Sequence, residues 1–467
     1  MNIVLVVFDS LRKDCIGCYG EPFWGKVHTP HLDSFARQSL KMDRAFPESL
    51  PTLPTRRALY TGRRVYPFHN SDFRLKGDFV GAPGWGPIPE DQPTVAEVLR
   101  ENGYRTALVA DVYHMFKPSK NYWRGFDQWV FLRGQETDPY RSGPVPTQDE
   151  IDRWLPREYQ NEHRVRFLKQ CLMNMYGRVV EEDYFNARVM IEAVRWLQQN
   201  RDAEKFFLVV ESFDPHEPWF VPEHYRRMYD PADGPEQVIS GYADSSFLSP
   251  ELLRRTQANY SGLVTMCDRW FGYLYESMRA LGLLDNTLIM VTADHGHSIG
   301  DKSYIGKRGY PSSREVLDVP LIIRHPDGIG AGRTSNIMVQ HTDMAAQILD
   351  FAGVERPPMD GVPFWNVAID GEPVLRDHVT VGWGTGITVI DDRWWFNAKI
   401  DGTGSFLYDL KSDPQLLRNV AEDYPEEAKR LYRKATEDAN GAFPDFLEKL
   451  CANQADAPGC SALCARE

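Results

Sequence analysis

The chain opens with the segment Asn2-Ile-Val-Leu-Val-Val-Phe8-Asp9-Ser10, in which an apolar run ends in an aspartate and a serine. An uninterrupted apolar run of this length predicts a strand buried on both faces, as in a parallel sheet. Similar runs follow at Thr106–Ala110, Phe206–Val210, Leu288–Thr292 and Pro320–Ile323. Helical patterns lie between these runs, at His31–Ser39, Thr94–Asn102, Glu181–Gln199, Pro250–Leu283 and Met344–Phe351. This alternation predicts an α/β fold with a large mixed, mostly parallel sheet sandwiched by helices.

The pattern changes after about residue 370. Short antiparallel strands are predicted at Val379–Val389, Trp394–Lys399 and Ser405–Tyr408, followed by a helix at Pro425–Asn440. We therefore predict a main domain over residues 1–370, a small C-terminal α+β domain with a short antiparallel sheet over 371–450, and a cysteine-containing tail over 451–467. Within the main domain, the polar stretch 123–164 lacks clear periodicity, which is typical of a lid or specificity loop.

Composition narrows the classes of function. The 467 residues include 53 basic and 66 acidic side chains, a net charge of −13, which argues against a nucleic-acid binder. The chain is 42% hydrophobic and 25% charged, as in globular proteins. No apolar run approaches the roughly 20 residues needed to span a bilayer, and no signal-peptide pattern opens the chain. We expect a cytoplasmic protein that binds neither nucleic acid nor membrane.

Seven cysteines are scattered along the chain. Cys15 and Cys18 form a Cys-x-x-Cys pair, but no second pair completes a zinc site, so a reduced structural pair is favoured over a redox or metal site. Cys451, Cys460 and Cys464 lie in the tail, where a surface position or a contact between subunits is favoured over metal binding. We expect a homo-oligomer.

Two strand ends carry candidate metal ligands. Asp9 follows the first strand, and Asp294-His295 follows a later one. Taken singly, an aspartate at a strand end is more often a cap or turn residue. Taken together, the carboxylates and the imidazole make a reasonable set of ligands for a divalent cation, because the carboxyl ends of parallel strands meet at one edge of the sheet. Mixed carboxylate and imidazole ligation favours Mn²⁺ or Zn²⁺, with Ca²⁺ and Mg²⁺ as alternatives.

A second motif, Thr52-x-Pro54-x-Arg56, leads directly into a helical stretch. Because proline is favoured in the first turn of a helix, Thr52 should lie at or just before the helix N-terminus. Free N–H groups and the helix dipole favour an oxyanion there. Arg56 lies one turn later and is placed to pair with charge in the site. The alternative from the local sequence is that Thr52 is only an N-cap.

These segments, with others in matching order and spacing, resemble the sulfatase-like branch of the alkaline phosphatase superfamily, which includes arylsulfatases and phosphonate monoester hydrolases. The resemblance spans nearly the whole chain. Besides the segments already quoted, it is carried by His28-Thr-Pro-His-Leu-Asp33, Thr61-Gly-Arg63, Gly103-Tyr-Arg-Thr-Ala107, Asp214-Pro-His216-Glu-Pro218, Thr292-Ala-Asp-His-Gly296, Gly306-Lys307, Val319-Pro-Leu-Ile-Ile323, Asp343, and Leu407-Tyr-Asp-Leu-Lys-Ser-Asp-Pro414 with Asn419.

The resemblance implies a role for each matching residue. Asp9, Asp294, His295 and the Thr52 oxygen match the metal ligands, and Arg56 matches the arginine that supports the nucleophile. A further group matches the residues that hold the anion or assist the leaving group: His216, Lys307, Asn70 and His114. The matches of Asn70 and His114 are looser, because the text around His114 departs from the family's Gly-Lys-x-His.

Several of these residues have an alternative interpretation. His216 lies between two prolines and could simply order a loop, and Lys307 could be a solvated surface lysine. His69, His297 and His341 are interpreted as structural. Asp111 is a weak candidate for the site, and Asp214 could serve a second metal together with His216.

One departure from the family separates two substrate classes. Sulfatases carry a cysteine or serine, oxidised to formylglycine, where this chain has Thr52, and no formylglycine is expected from threonine. A threonine alkoxide forms a covalent intermediate that requires a second attack at the central atom, as in phosphoenzymes. Many sulfatases also have paired aspartates where this chain has Asp9-Ser10. The sequence therefore predicts a metal-dependent enzyme that hydrolyses small anionic esters: phosphodiesters, phosphonate monoesters or phosphate monoesters.

Two alternatives stay open. The first is a sulfatase that acts on aryl or sugar sulfate esters. The second is a catalytically inactive relative that binds an anion or a partner, against which the retention of the matching ionisable residues argues.

Overall fold

The computed structural model describes residues 1–68, 83–118, 120–234, 242–371 and 375–453. Its strands, numbered along the chain, are β1 (Asn2–Phe8), β2 (Leu40–Phe46), β3 (Arg105–Ala110), β4 (Gln128–Phe131), β5 (Phe206–Ser212), β6 (Ala243–Asp244), β7 (Thr287–Ala293), β8 (Ser298–Ile299), β9 (Tyr304–Gly306), β10 (Val319–Arg324), β11 (Thr334–Gln340), β12 (His378–Trp383), β13 (Gly386–Asp391), β14 (Trp394–Lys399) and β15 (Phe406–Asp409). They form an eight-stranded central sheet in the order β11-β2-β10-β7-β1-β5-β3-β4, a four-stranded C-terminal sheet β12-β13-β14-β15, and a small sheet β6-β9-β8.

The helices pack around these sheets. They are α1 (Pro30–Ala36), α2 (Thr52–Thr61), α3 (Val95–Glu101), α4 (Gln148–Trp154), α5 (Glu162–Met175), α6 (Phe185–Asn200), α7 (Glu223–Arg226), α8 (Pro250–Ala280), α9 (Arg314–Leu317), α10 (His341–Phe351), α11 (Trp365–Asp370), α12 (Pro425–Asp438) and α13 (Asp445–Asn453). The helices predicted from periodicity are confirmed, with ends that differ by at most four residues. Within the described residues, no helix is both long and apolar enough to cross a membrane.

Strand β1 lies at the centre of the central sheet. It pairs in parallel with β5 on one side and β7 on the other, and all its residues are buried. In this register Phe8 lies beside Ser212 of β5 and Ala293 of β7. The residues that follow the three strands therefore meet at one edge of the sheet, where active sites of open α/β sheets lie.

The central sheet is mixed, as predicted. Strand β10 runs antiparallel to both its neighbours, β7 and β2, whereas the other pairs are parallel. All five predicted strands are confirmed, but β2, β4 and β11 escaped prediction. These three strands are only partly buried and carry polar residues, so they lack the continuous apolar run that identified the others.

Two predictions about local structure need correction. The segment Val379–Val389, predicted as one strand, is a hairpin of β12 and β13, with Trp383 paired to Gly386. Gly384 has a φ of 56°, which the tight two-residue turn requires and which glycine accommodates. The stretch 123–164 is not structureless, because it contains β4 and α4. Helix α4 begins at a capping box between Thr147 and Glu150.

The C-terminal sheet shares a hydrophobic core with the rest of the chain. Trp395 of β14 is fully buried, its ring centroid lies 6.4 Å from that of Phe46, and its indole N–H donates to the Ser312 carbonyl over 3.1 Å. Val379 and Val381 belong to the same cluster. The small antiparallel sheet is thus confirmed, while the domain limits at residues 370 and 450 stay a prediction.

The described cysteines, Cys15, Cys18, Cys171, Cys267 and Cys451, are free thiols. Cys15 is buried and Cys18 is half-buried, which is compatible with a structural pair. Cys460 and Cys464 lie outside the described residues.

Truncation of Trp395 tests the shared core. Trp395→Ala should lower the free energy of unfolding by about 3–5 kcal/mol, because it removes a large buried ring and leaves the Ser312 carbonyl without its donor. Trp129→Ala is the matched control, since Trp129 is 47% exposed on edge strand β4. The stability of both variants is measured as the midpoint of urea unfolding, followed by circular dichroism. Equal midpoints for the two variants would show that the C-terminal sheet is not held by this core.

Candidate active site

Asp9, Asp294 and His295 come together where β1 and β7 end. A ligand atom from each lies within 4.8 Å of the others, and all three residues are fully buried. Two backbone N–H groups orient the Asp294 carboxylate, that of Ser10 over 2.9 Å and that of His295 over 2.7 Å. The Ser10 hydroxyl donates to Asp9 over 2.8 Å. The predicted ligands from two distant segments therefore form one cluster, called here the acidic cluster.

Arg56 of α2 pairs with the acidic cluster from the helix side. Its Nη1 donates to Asp9 Oδ2 over 3.1 Å and to Asp294 Oδ2 over 2.6 Å. Its Nε and Nη2 donate to Glu211 Oε2 over 3.1 and 2.9 Å. Burial opposes the charge of Arg56, but Glu211, Asp294 and Asp9 raise its pKa well above the usual value. The guanidinium is therefore fixed as a cation between three carboxylates.

The charges of this buried group do not balance. Arg56, Asp9, Asp294 and Glu211 are all fully buried, and when all three carboxyl groups are ionised, one guanidinium leaves two negative charges unpaired. Uncompensated charge in the interior is costly, and burial together with Asp294 accordingly raises the pKa of Asp9. A divalent cation bound here would supply the missing charge.

His295 completes a site of suitable chemistry for a cation. Its Nδ1 is 3.0 Å from the Gly296 carbonyl, to which it must donate, so Nε2 carries the lone pair. This Nε2 is buried, has no hydrogen-bond partner among the described residues and lies 3.4 Å from Asp294 Oδ2. Burial lowers the pKa of His295 to about 3, so the ring is neutral. A neutral imidazole with an unused nitrogen beside two carboxylates fits a metal ion.

Thr52 is the first residue of α2, and it is 2% exposed. Pro51 occupies the N-cap position, so the alternative in which Thr52 is merely the N-cap is not what the structure shows. Arg56 Nη1 also donates to the Thr52 carbonyl over 3.1 Å. The nitrogen that bridges Asp9 and Asp294 thus fixes the start of α2 beside the acidic cluster.

His216 and Lys307 form a second group, on the loops that follow β5 and β9. His216 Nδ1 donates to the Glu217 carbonyl over 2.5 Å, so Nε2 accepts a hydrogen bond from Lys307 Nζ over 2.6 Å. Both residues are buried, which excludes the interpretation of Lys307 as a solvated lysine. Burial lowers the pKa of His216 to about 4. Lys307 Nζ is therefore the hydrogen-bond donor of the pair and His216 Nε2 the acceptor.

Two glutamates that the sequence did not identify border this pair. Glu217 Oε2 is 3.4 Å from His216 Nδ1, and Glu136 Oε1 is 3.5 Å from the same atom. Burial, followed by the charge of Glu217, raises the pKa of Glu136 to about 8. For Glu217, burial raises the pKa, but the opposing interactions with the neighbouring His216, Lys307 and His297 side chains hold it well below the usual range. One carboxyl group is thus ionised and its neighbour is driven towards the neutral form.

The remaining candidates lie around this centre. His114 is buried, with Nε2 at 3.4 Å from Glu136 Oε2. Asp111 accepts hydrogen bonds from the Phe213 N–H over 2.6 Å and from Gln135 over 2.7 Å. Among the described residues, two groups of side chains have a geometry that could hold a metal ion: Asp9, Asp294 and His295, and Glu136, His216 and Glu217. Asp214 belongs to neither group. Asn70 and His69 lie outside the described residues.

Sequence analysis missed Glu136, Glu217 and the partner of Arg56. Glu211 directly follows the predicted strand Phe206–Val210, and Glu217 lies inside the motif Asp214-Pro-His216-Glu-Pro218. Their positions in the sequence could therefore have identified both as candidates for the site. Glu136 gave no such signal, because its segment has no periodicity.

Two curated proteins are similar to this chain over almost its whole length. An arylsulfatase of Clostridium perfringens is 23% identical over 96% of this chain and 96% of its own length. The multifunctional alkaline phosphatase superfamily protein PehA of Trinickia caryophylli is 24% identical over 90% of this chain and 91% of its own length.

A solved structure shares the fold. The phosphonate monoester hydrolase of Agrobacterium radiobacter superposes with a TM-score of 0.68 at 22% identity, over 97% of this chain and 95% of its own. The sequence profile of the Sulfatase family matches residues 1–354, most of the chain. The chain therefore belongs to the sulfatase family of the alkaline phosphatase superfamily, as its resemblance predicted, and it is a hydrolase of anionic esters.

Proposed function

We propose that this protein is a metal-dependent hydrolase of phosphorus esters that uses Thr52 as its nucleophile. The observation that carries the proposal is the acidic cluster and its surroundings: three buried carboxyl groups contact a single guanidinium, and the buried Nε2 of His295 has no partner in the part of the chain that the structure describes. The start of α2, with Thr52, is hydrogen-bonded to this cluster through Arg56.

Asp9, Asp294 and His295 would hold the cation, with the Thr52 oxygen as a further ligand. When bound, a divalent ion lowers the pKa of a coordinated hydroxyl and draws charge from an oxygen of the ester. Neutral imidazole and carboxylate donors favour Mn²⁺ or Zn²⁺.

The identity of residue 52 favours phosphorus over sulfur. Formylglycine releases sulfate by breaking a C–O bond, a route closed to an unmodified threonine. A Thr52 alkoxide must instead be freed by a second attack at the central atom, as in phosphoenzymes. Relatives named as an arylsulfatase and as phosphonate monoester hydrolases are compatible with either class.

Lys307 and His216 supply the proton for the leaving group. Because neutral His216 accepts from Lys307 Nζ, it aims the ammonium group without competing as an acid. Glu217, with its Oε1 at 4.0 Å from Lys307 Nζ, adds a stabilising negative charge. The pair can donate to the leaving oxygen and also neutralise charge on the ester.

The chemistry proceeds in two displacements. The Thr52 hydroxyl releases its proton to solvent, its oxygen attacks phosphorus, and the ester P–O bond breaks while Lys307 protonates the leaving oxygen. In the second step a water oxygen attacks phosphorus and the Thr52–phosphorus bond breaks. One water proton returns to Lys307, and the Thr52 oxygen takes a proton back from solvent. The N–H groups at the start of α2 favour the oxyanion in both steps.

Substitution of Thr52 tests the nucleophile. Thr52→Val keeps the shape of the side chain but removes the hydroxyl, so kcat should fall at least about a thousandfold. The kcat of Thr52→Ala should fall by a similar factor, whereas the kcat of Thr52→Ser should stay within roughly tenfold of the wild-type value. The phosphoryl-enzyme trapped by acid quench and detected by intact mass provides a second measurement. Near-normal turnover of Thr52→Val would remove the assignment.

Metal removal tests the acidic cluster. Chelation should abolish turnover and lower the midpoint of thermal unfolding, and addition of Mn²⁺ or Zn²⁺ should restore both. The midpoint responds because a ligand at a hundredfold excess over its Kd stabilises the folded protein by about 2.7 kcal/mol. His295→Ala should lose the thermal response to the metal. His224→Ala is the control, because that imidazole is 65% exposed and its ion-pair partner is Glu181, which is not a residue of the acidic cluster. An identical thermal response in His295→Ala would refute the ligand set.

A substrate panel decides between the two ester classes. Aryl phosphodiester, phenylphosphonate monoester, phosphate monoester and sulfate ester with one common leaving group should be compared by kcat/KM. We expect the phosphorus esters to exceed the sulfate ester by at least tenfold. A preference for the sulfate ester would replace this proposal with a sulfatase, and inactivity towards all four in the metal-loaded protein would support an inactive relative.

A further inference from the structure

Ser10 follows Asp9 at the end of β1 and contacts both carboxylates of the acidic cluster. Its hydroxyl donates to Asp9 Oδ1 over 2.8 Å, and its backbone N–H donates to Asp294 Oδ1 over 2.9 Å. The residue is fully buried, so bulk water does not compete for either hydrogen bond. Ser10 therefore lies directly behind two of the proposed metal ligands without being one of them.

The two carboxylates depend on Ser10 to different degrees. Asp294 accepts from the backbone N–H groups of Ser10 and His295 and from Arg56 Nη1. In the described part of the chain, the Asp9 carboxylate accepts from two side chains alone, the Ser10 hydroxyl at Oδ1 and Arg56 Nη1 at Oδ2. A single donor on one oxygen leaves a carboxylate free to turn about that contact. The Ser10 hydroxyl is thus the second point that fixes the plane of the Asp9 carboxylate.

The backbone conformation of Ser10 makes this contact possible. In an extended strand, successive side chains point to opposite faces of the sheet, so a continued β1 would carry the Ser10 hydroxyl away from Asp9. The φ of Ser10 is instead 61°, in the left-handed region that residues other than glycine seldom adopt. This turn brings the hydroxyl back beside the preceding carboxylate. Backbone strain of this kind persists only where the surroundings impose it, and it is concentrated at functional sites.

Tyr260 of α8 holds this turn in place. Its hydroxyl donates to the Ser10 carbonyl over 2.8 Å and accepts from the Arg12 N–H over 2.9 Å. Tyr260 is fully buried, and its ring packs edge-on against that of Trp219, with centroids 5.8 Å apart. The position of the Ser10 hydroxyl is therefore set by contacts between α8 and the segment that follows β1.

We propose that Ser10 is a positioning residue of the cation site, and that its hydroxyl fixes Asp9 in the orientation that binding of a small divalent cation requires. The inference rests on the proposed function, since it assumes that the acidic cluster holds such a cation. Small cations tolerate little variation in ligand geometry, whereas Ca²⁺ accepts varied numbers of oxygens in flexible geometry. Loss of the hydroxyl should therefore weaken the binding of Mn²⁺ more than that of Ca²⁺. A general loosening of the site would weaken both alike.

Metal titration of the full-length protein, freed of metal by chelation, tests this without turnover. By isothermal titration calorimetry at pH 7, Ser10→Ala should raise the Kd for Mn²⁺ at least about tenfold and the Kd for Ca²⁺ by less than about threefold. Alanine keeps the Cβ of serine, so the substitution removes the hydroxyl without relieving the strain at this φ. Ser212→Ala is the matched control, because Ser212 is also fully buried, at the end of β5, and its hydroxyl accepts from Asn186 over 2.8 Å, outside the acidic cluster. Both Kd values of Ser212→Ala should equal those of the wild type.

The outcomes separate this inference from the proposed function. An unchanged Kd for Mn²⁺ in Ser10→Ala, or an equal loss for Mn²⁺ and Ca²⁺, would overturn the positioning role and leave the ligand set and the nucleophile standing. A selective loss of Mn²⁺ affinity in Ser10→Ala supports the role even if the phosphorus esters are not substrates. Absence of metal binding by the wild type would overturn both proposals. If Ser10→Ala fails to fold by circular dichroism, Ser10→Gly decides, since glycine adopts this φ without strain, lacks the hydroxyl and should show the same selective loss.

Discussion

The guanidinium of Arg56 is the contact on which the reaction centre depends. One of its nitrogens bridges Asp9 and Asp294, and the other two bind Glu211. These acids follow or end three adjacent strands, so a single side chain from α2 joins the helix to β1, β5 and β7. Because a desolvated ion network is stable only when its partners are all present, the relative position of helix and strands has little freedom. The start of α2 is held in place as a consequence.

The centre divides its charges between two sides. On the side of the acidic cluster, carboxylates exceed cations and a neutral imidazole faces inward. On the other side, Lys307 is paired with a neutral His216, and the two neighbouring glutamates have pKa values pushed in opposite directions. Such separation of pKa values among adjacent groups is what acid–base chemistry at neutral pH requires. An ester placed between the two sides would meet a cation site at one end and a proton donor at the other.

Sequence analysis reached the buried strands, the family and the residues of the acidic cluster, because these depend on apolar runs and on polar residues directly after them. It missed β2 and β11, whose polar residues interrupt the pattern. The tautomers of His216 and His295 could not be predicted from the sequence, because each is set by a backbone carbonyl that lies beside Nδ1 only in the folded chain. Glu136 was missed for another reason: its contacts with His216 and His114 arise from packing between loops distant in sequence, and no local pattern encodes them.

The order of strands in the central sheet has a consequence for the nascent chain. Strand β1 takes its two neighbours, β5 and β7, from more than two hundred residues further along the sequence. During synthesis, β1 emerges before β5 and β7 have been made, so it cannot pair with them. A sheet whose neighbouring strands are distant in sequence therefore forms late. Asp9 therefore has no companion ligands while the polypeptide is still emerging. The proposed ion site and the proposed nucleophile at Thr52 would therefore form only when folding is complete.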